Sequence, residues 1–196
     1  LEDDEFGTIV VAIRHGRVIF HNIRAFVLYL LSCNLSQILS VGVAAVLAVP
    51  LPVLPLQILY LNLVTDVFPA LALGAGEGDP RLFERGPRPP GEPVMTSVHW
   101  ALIGVYGVMM AAAVLATLWV ATGPLGLATE RAVTVTFLTL GFAQLWHVFN
   151  MAGPAAHPVR NEVTRNRWVW GAIVLCLVLL VGHGSRRERS NEQVRE

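Results

Sequence analysis

Three oxygen-bearing side chains, Asn62, Thr65 and Asp66, lie in an apolar stretch that is long enough to cross a membrane. Asp66 is the most informative of the three, because an ionisable group at bilayer depth is costly and is usually kept for transport. At α-helical spacing, positions 62, 65 and 66 share one face of the helix. An amide oxygen, a hydroxyl and a carboxylate are typical ligands of hard cations. The three residues therefore predict a cation site within the membrane.

Pro69 is expected to add a backbone ligand to this face. Proline has no backbone N–H, and its ring presses on the carbonyl four residues earlier, which belongs to Thr65. We therefore expect the Thr65 carbonyl oxygen to be free on the same side as Asp66. The alternative interpretation is a polar contact between helices combined with an ordinary proline kink.

Two further apolar segments carry amide side chains at helical spacing. Asn34 and Gln37 lie three residues apart in the first segment, and both can offer carbonyl oxygens to a cation. Hydrogen bonding between helices is the structural alternative for this pair. In the fourth segment, Gln144 and His147 recur at a three-residue step. Gln144 lies deepest and is the expected ligand, whereas His147 is predicted to be an ordinary histidine at the membrane interface.

The composition indicates an integral membrane protein or a piece of one. The chain has 196 residues, of which 54% are hydrophobic and 14% are charged. These values predict an all-α, polytopic transmembrane helical bundle whose partner is the lipid bilayer, with no nucleic-acid partner. Stretches of about 20 apolar residues predict about five spans, at roughly residues 26–49, 54–74, 97–121, 132–152 and 167–183.

The distribution of arginine predicts the orientation, because positively charged loops stay in the cytoplasm. With a cytoplasmic N-terminus, the cytoplasmic segments contain nine arginines, and the opposite side contains only Arg131 before the charged tail. The nine are Arg14, Arg17, Arg24, Arg81, Arg85, Arg88, Arg160, Arg165 and Arg167. We expect the plasma (inner) membrane. Five spans place the arginine-rich residues 185–196 outside, so we expect this tail to be disordered or truncated.

Four segments together resemble a known family. They are residues 3–10 (DDEFGTIV), 16–23 (GRVIFHNI), 29–34 (YLLSCN) and 56–70 (LQILYLNLVTDVFPA). The chain resembles the C-terminal transmembrane region of a type II, calcium-pump-like P-type cation-transporting ATPase. The resemblance implies that the spans correspond to helices 5–9 of such a pump. Residues 1–25 are then the end of the phosphorylation domain and the stalk entry, and residues 26–184 are the transmembrane cation-transport region.

The resemblance also implies a ligand set, since the residues match position by position. Six residues are expected to bind the cation: Asn34, Gln37, Asn62, Thr65, Asp66 and Gln144. Direct contact with the metal is expected from Asn62, Thr65 and Asp66, and no residue of the chain is expected to be catalytic. Gln37 and Gln144 stand where two-ion calcium pumps have acidic ligands. Their neutral charge favours a single ion.

As a whole, the resemblance implies half of the membrane region of an ATP-driven cation pump, with calcium as the expected ion. ATP and Mg²⁺ would act only through domains outside this chain, namely the actuator, nucleotide-binding and phosphorylation domains. Helices 1–4 of the pump are further expected partners. The chain alone is not expected to hydrolyse ATP. The alternative from another functional class is a stand-alone helical membrane channel or a subunit that regulates a pump.

Overall fold

The structure is a computed structural model that describes residues 6–78, 91–153, 157 and 160–193, with side chains up to Gly182. Helices account for every regular element within these ranges, so the all-α prediction is confirmed. The elements are α1 (Phe6–Val46), α2 (Pro55–Leu61), a π-helical turn (Asn62–Val67), α3 (Phe68–Gly74), α4 (Ser97–Thr122), α5 (Thr129–His147), a 3₁₀ turn (Val148–Met151), α6 (Glu162–Arg165) and α7 (Arg167–Gln193).

Four stretches are long and apolar enough to cross a membrane: Gly7–Val46, Pro55–Gly74, Ser97–Thr122 and Thr129–Met151. The predicted polytopic bundle is thereby confirmed. The apolar part of α7, Arg167–Gly182, is shorter, and a fifth span stays a prediction. The helix itself continues to Gln193, so residues 185–193 of the predicted tail are helical. Residues 1–5, the arginines of residues 79–90 and residues 194–196 lie outside the described residues.

The helices pack around α1 and α5. α1 lies along α4, α4 lies along α5, and α3 contacts both α1 and α7. Tyr29 and Cys33 of α1 are fully buried in one apolar cluster, and Phe137 and Leu140 of α5 are fully buried in another. Burial of large apolar side chains against neighbouring helices therefore holds the central polar residues at fixed depth.

A tight turn ends α1 and leads toward α2. The Val49 N–H donates to the Ala44 carbonyl (3.1 Å), and the Ala48 N–H donates to the Ala45 carbonyl (3.2 Å). These two bonds and a φ of 52° at Ala48 form a Schellman-type C-cap. Farther along, the Thr136 hydroxyl of α5 donates to the Pro52 carbonyl at 2.5 Å. The connection is therefore fixed to the bundle.

The C-terminal end of α3 is hydrogen-bonded to α1 and to the segment before α7. The Asn22 side-chain amide of α1 donates to the carbonyls of Gly74 (3.1 Å) and Gly76 (2.7 Å). The Asn166 side-chain amide donates to the Ala72 carbonyl at 2.8 Å. Carbonyls at a helix end lack partners within the helix, and two asparagines from other elements supply them here.

Arg24 fastens α1 to the segment that precedes α4. Its Nε donates to the Val94 carbonyl at 2.7 Å, and its guanidinium lies 3.1 Å from the Glu92 carboxylate. Asn22 and Arg24 therefore link one short region of α1 to the residues before and after the long connection between α3 and α4. A displacement of α1 in this region is transmitted directly to α3.

Gly107 provides a test of the contact between α1 and α4. A Cβ at Gly107 would lie 2.8 Å from a methyl group of Leu35, whereas a Cβ at Gly104 would meet nothing within 4 Å. We expect Gly107→Ala to lower the free energy of unfolding by about 1–3 kcal/mol, because the tight contact must open. Gly104→Ala should be neutral or stabilising, since alanine favours helix. Thermal unfolding of both variants in detergent compares them, and equal midpoints would contradict the contact.

Candidate cation-binding site

The predicted site lies on the π-helical turn Asn62–Val67, where we expected a kinked α-helix. Pro69 accounts for the difference. It is four residues after Thr65 and five after Val64, so its missing N–H removes the α-helical partner of one carbonyl and the π-helical partner of the other. The wider turn changes the angular spacing of the three predicted ligands, and π-helical turns often occur at functional sites.

The carbonyls released by Pro69 are bound by neighbouring helices. The Tyr29 hydroxyl of α1 donates to the Thr65 carbonyl at 2.6 Å. The Cys176 thiol of α7 donates to the Val64 carbonyl at 3.0 Å. The expectation that the Thr65 carbonyl is free is therefore wrong. The reason is that a released carbonyl in a buried helix must find another donor, and Tyr29 is placed to supply one.

Asp66 faces the interior of the bundle, with only 4% of its surface exposed. Its Oδ1 atom is buried and has no hydrogen-bond partner among the described residues, and the same is true of Oδ1 of Asn62. Buried oxygens without donors are costly, and a bound cation would offset that cost.

Gln144 connects the π turn to two other helices. Its Oε1 accepts from the Thr65 hydroxyl at 2.8 Å, and its Nε2 donates to the Cys33 carbonyl of α1 at 3.4 Å. The same Thr65 hydroxyl lies 2.9 Å from the Leu61 carbonyl, so its one hydrogen is shared between two acceptors. Gln144 is fully buried. The structure thus brings Gln144 and Thr65 together, with Gln144 hydrogen-bonded at both ends.

Asn34 and Gln37 form a second group on α1. Asn34 is half-buried, and its amide donates to the Leu30 carbonyl of its own helix at 2.9 Å. Gln37 is 4% exposed, and its Nε2 has no hydrogen-bond partner among the described residues. Within the part of the chain that the structure describes, no hydrogen bond joins either amide to Asn62, Thr65 or Asp66. Tyr29 and Gln144 instead connect α1 to the π turn, through the carbonyl of Thr65 and the carbonyl of Cys33.

His147 is buried within the bundle, and its predicted position at the level of the membrane interface stays a prediction. It is 2% exposed, and its ring lies 5.8 Å from the ring of Tyr29 and 4.6 Å from that of Tyr106. The sequence did not predict this burial, because α1 and α4 cover the end of α5, which a linear sequence does not reveal. His147 Nδ1 lies 3.1 Å from the Asn150 amide, whereas Nε2 has no partner among the described residues.

Tyr29 was missed by the sequence reasoning, although it contacts the π turn directly. A usable signal was present, since Tyr29, Cys33 and Ser36 recur at helical spacing and share one face of α1. All three side chains are fully buried. The site as a whole offers one carboxylate and several neutral oxygens. The described residues contain no group of three or more His, Cys, Asp or Glu side chains arranged to hold a metal.

Comparison with known proteins gives a consistent result. The family described as "Cation transporting ATPase, C-terminus" matches residues 50–182. The chain is 39% identical over 183 residues to a calcium-transporting ATPase of Bacillus subtilis (strain 168), covering 92% of this chain and 20% of that protein. It is 36% identical over 195 residues to calcium-transporting ATPase 1 of Bacillus cereus (strain ATCC 10987 / NRS 248), with coverages of 92% and 22%.

A plant protein extends the comparison. The chain is 40% identical over 109 residues to calcium-transporting ATPase 3, endoplasmic reticulum-type, of Arabidopsis thaliana. This aligned stretch covers 54% of this chain and 11% of that protein. The chain thus spans about a fifth of the length of its bacterial relatives.

The hydroxyl of Tyr29 can be tested by Tyr29→Phe. The change keeps the ring but leaves the Thr65 carbonyl without its donor, and we expect a loss of about 1–3 kcal/mol in the free energy of unfolding. Tyr106→Phe is the matched control, because the Tyr106 hydroxyl makes no hydrogen bond to the described residues. Thermal unfolding in detergent is the measurement. A loss for Tyr106→Phe as large as that for Tyr29→Phe would show that the hydroxyl bond is unimportant.

Proposed function

The chain belongs to the C-terminal family of cation-transporting ATPases, and we propose that it forms half of the membrane region of an ATP-driven pump that transports calcium. Its relatives of similar sequence are named calcium-transporting ATPases. In this proposal the calcium ion is the transported substrate. ATP and Mg²⁺ act in domains outside this chain, which are also its partners together with helices 1–4 and the lipid bilayer.

The observation that supports the proposal best is the pair of buried oxygens on the π turn. Oδ1 of Asp66 and Oδ1 of Asn62 lack hydrogen-bond donors among the described residues, inside a helical stretch that can cross a membrane. A purely structural polar contact would pair these atoms, because unpaired polar groups in an apolar environment are strongly unfavourable. The arrangement is explained if these two oxygen atoms are ligands of a hard cation.

The charge of the site favours one divalent ion. Asp66 is the only acidic residue in the five predicted spans, and Gln37 and Gln144 contribute neutral amides. One carboxylate leaves a divalent ion with an uncompensated positive charge in a medium where charge is expensive. We infer that a second carboxylate comes from the part of the pump outside this chain and that the two together hold a single calcium ion.

The mechanism follows from the contacts of α1. Phosphorylation in the upstream domains would displace the start of α1, and Tyr29 would carry that displacement to the Thr65 carbonyl, which its hydroxyl holds at 2.6 Å. Asn22 carries it to the end of α3 through the carbonyls of Gly74 and Gly76. The π turn lies between these two attachments. A conformation in which Asn62 and Asp66 cannot bind the same ion would have a low affinity for calcium, and the population shift would release the ion.

The proposed orientation places the N-terminus in the cytoplasm of a cell with the pump in its plasma membrane. The support is the excess of arginine in the segments assigned to the cytoplasmic side, such as Arg14, Arg17 and Arg24 on α1. Arg131, in the first turn of α5, is the one arginine assigned to the opposite side before the charged tail. In this orientation the residues around Asn22 and Arg24 face the ATP-binding domains, and the turn at Ala48 faces outward.

Asp66→Asn in the full-length protein tests the role of the carboxylate. The amide keeps the shape but removes the charge, so we expect calcium-dependent formation of the phosphorylated intermediate to be lost. Glu130→Gln is the matched control, because Glu130 is exposed at the start of α5. Phosphorylation from labelled ATP at graded calcium concentrations is the measurement. An unchanged calcium dependence of Asp66→Asn would remove Asp66 from the site.

Asn62→Ala tests the second unpaired oxygen. Loss of a ligand to a charged ion is expected to raise the calcium concentration for half-maximal phosphorylation by roughly tenfold or more. Leu63→Ala, the adjacent position on the same turn, is the control, because the Leu63 side chain is 60% exposed and points away from the site. Equal shifts for the two variants would indicate a general disturbance of the π turn instead of a lost ligand.

A further inference from the structure

A cavity of about 590 Å³ lies at the end of the bundle where α3 ends and α7 begins, away from the cation site. Three arginines line it, namely Arg160, Arg165 and Arg167, together with the indole of Trp168. Its volume is in the usual range for binding sites of small ligands. The proposed transport mechanism assigns no role to this cavity.

The cavity has an excess of positive charge. Two carboxylates also line it, Glu77 and Glu162. Oε1 of Glu162 is already engaged, since it accepts from the Gly153 N–H at 2.8 Å and lies 3.9 Å from Nε2 of His21. Among the described residues, no carboxylate oxygen lies within 4.0 Å of the three lining arginines. Three guanidinium groups against two carboxylates leave the cavity with a net positive charge. Guanidinium groups are the side chains best suited to phosphate recognition.

The aromatic residues place the cavity at the level of lipid headgroups. Trp168 is 58% exposed and Trp170 is 49% exposed, both in the first turn of α7. Exposed tryptophans at the end of an apolar helix lie at the membrane interface. The Arg167 guanidinium lies 5.2 Å from the centre of the Trp168 ring, so this pair presents a cation on an aromatic surface at that level.

We propose that this cavity binds a phosphate-bearing anion, held by Arg160, Arg165 and Arg167 at the membrane surface. Guanidinium groups bind the oxygens of a phosphate in a bidentate manner. The phosphate of an anionic phospholipid and soluble phosphate share this chemistry. The proposal is independent of the cation site, because none of the residues assigned to calcium lines the cavity.

The test uses the full-length protein in nanodiscs of phosphatidylcholine with or without phosphatidylglycerol. Native mass spectrometry measures the phosphatidylglycerol that stays bound after detergent extraction. The variant Arg160→Gln/Arg165→Gln/Arg167→Gln should lose at least about tenfold in retention, because each arginine near an anionic lipid surface contributes about a fivefold factor. The control variant Arg14→Gln/Arg17→Gln/Arg131→Gln removes three arginines that do not line the cavity and should retain the lipid as the wild type does.

A second arm distinguishes the two sources of phosphate. Equilibrium dialysis with labelled inorganic phosphate is performed on the same proteins in detergent. Retention of phosphatidylglycerol that depends on the three arginines, without phosphate binding, identifies the lipid as the ligand. Phosphate binding that is lost only in the cavity variant identifies a soluble ligand. Equal behaviour of the cavity and control variants with both probes overturns the proposal.

Single substitutions keep the test decisive where the triple variant does not fold. Arg160, Arg165 and Arg167 are all exposed, so each can be changed to glutamine without disturbing buried packing. Each single variant should lose roughly fivefold in binding of the probe that the wild type binds. Wild-type binding in all three single variants likewise overturns the proposal.

Discussion

The hydrogen bond from the Tyr29 hydroxyl to the Thr65 carbonyl is the interaction on which the central site depends. Pro69 makes this bond necessary, because it leaves a buried carbonyl without its helical partner. The bond joins α1 to the segment that carries Asp66, the only buried acidic side chain among the described residues. The Cys176 thiol of α7 likewise donates a hydrogen bond to the Val64 carbonyl. Two donors from different helices therefore stabilise a backbone shape that the local sequence would not keep alone.

The polar side chains in the interior form two pairs that differ in their hydrogen bonding. Gln144 and Thr65 are hydrogen-bonded to each other and hold α5, the π turn and α1 together. Asn62 and Asp66 on the same turn have oxygens with no such partners. Hydrogen bonds between helices hold the first pair, whereas the second pair keeps two buried oxygens available to a ligand. If the π turn is a cation site, the hydrogen bonds of Gln144 and Thr65 would preorganise it, and the oxygens of Asn62 and Asp66 would be available to the ion.

Much of the architecture was predictable from the sequence, and the reasons for success and failure are physical. Length and hydropathy predicted the helical bundle, and the segment around Asp66 predicted the family, which the match over residues 50–182 confirmed. The π turn was not predictable, because its stabilising donors lie 36 and 112 residues away from the carbonyls they bind. The burial of His147 was missed for a similar reason. Local spacing indicates which residues share a face, but the neighbouring helices decide what covers that face.

The close contact between Leu35 and Gly107 has a mechanical consequence for α1. The Leu35 side chain fills the notch left by the glycine, so sliding of α1 along α4 would have to displace a tightly packed side chain. In the proposed pump, this contact would serve as a pivot for α1. Asn34 lies beside the pivot, whereas Asn22 lies about 20 Å along the helix axis from it. In the proposed pump, α1 would then act as a lever. A wide displacement of its N-terminal end would become a short displacement beside Asn34.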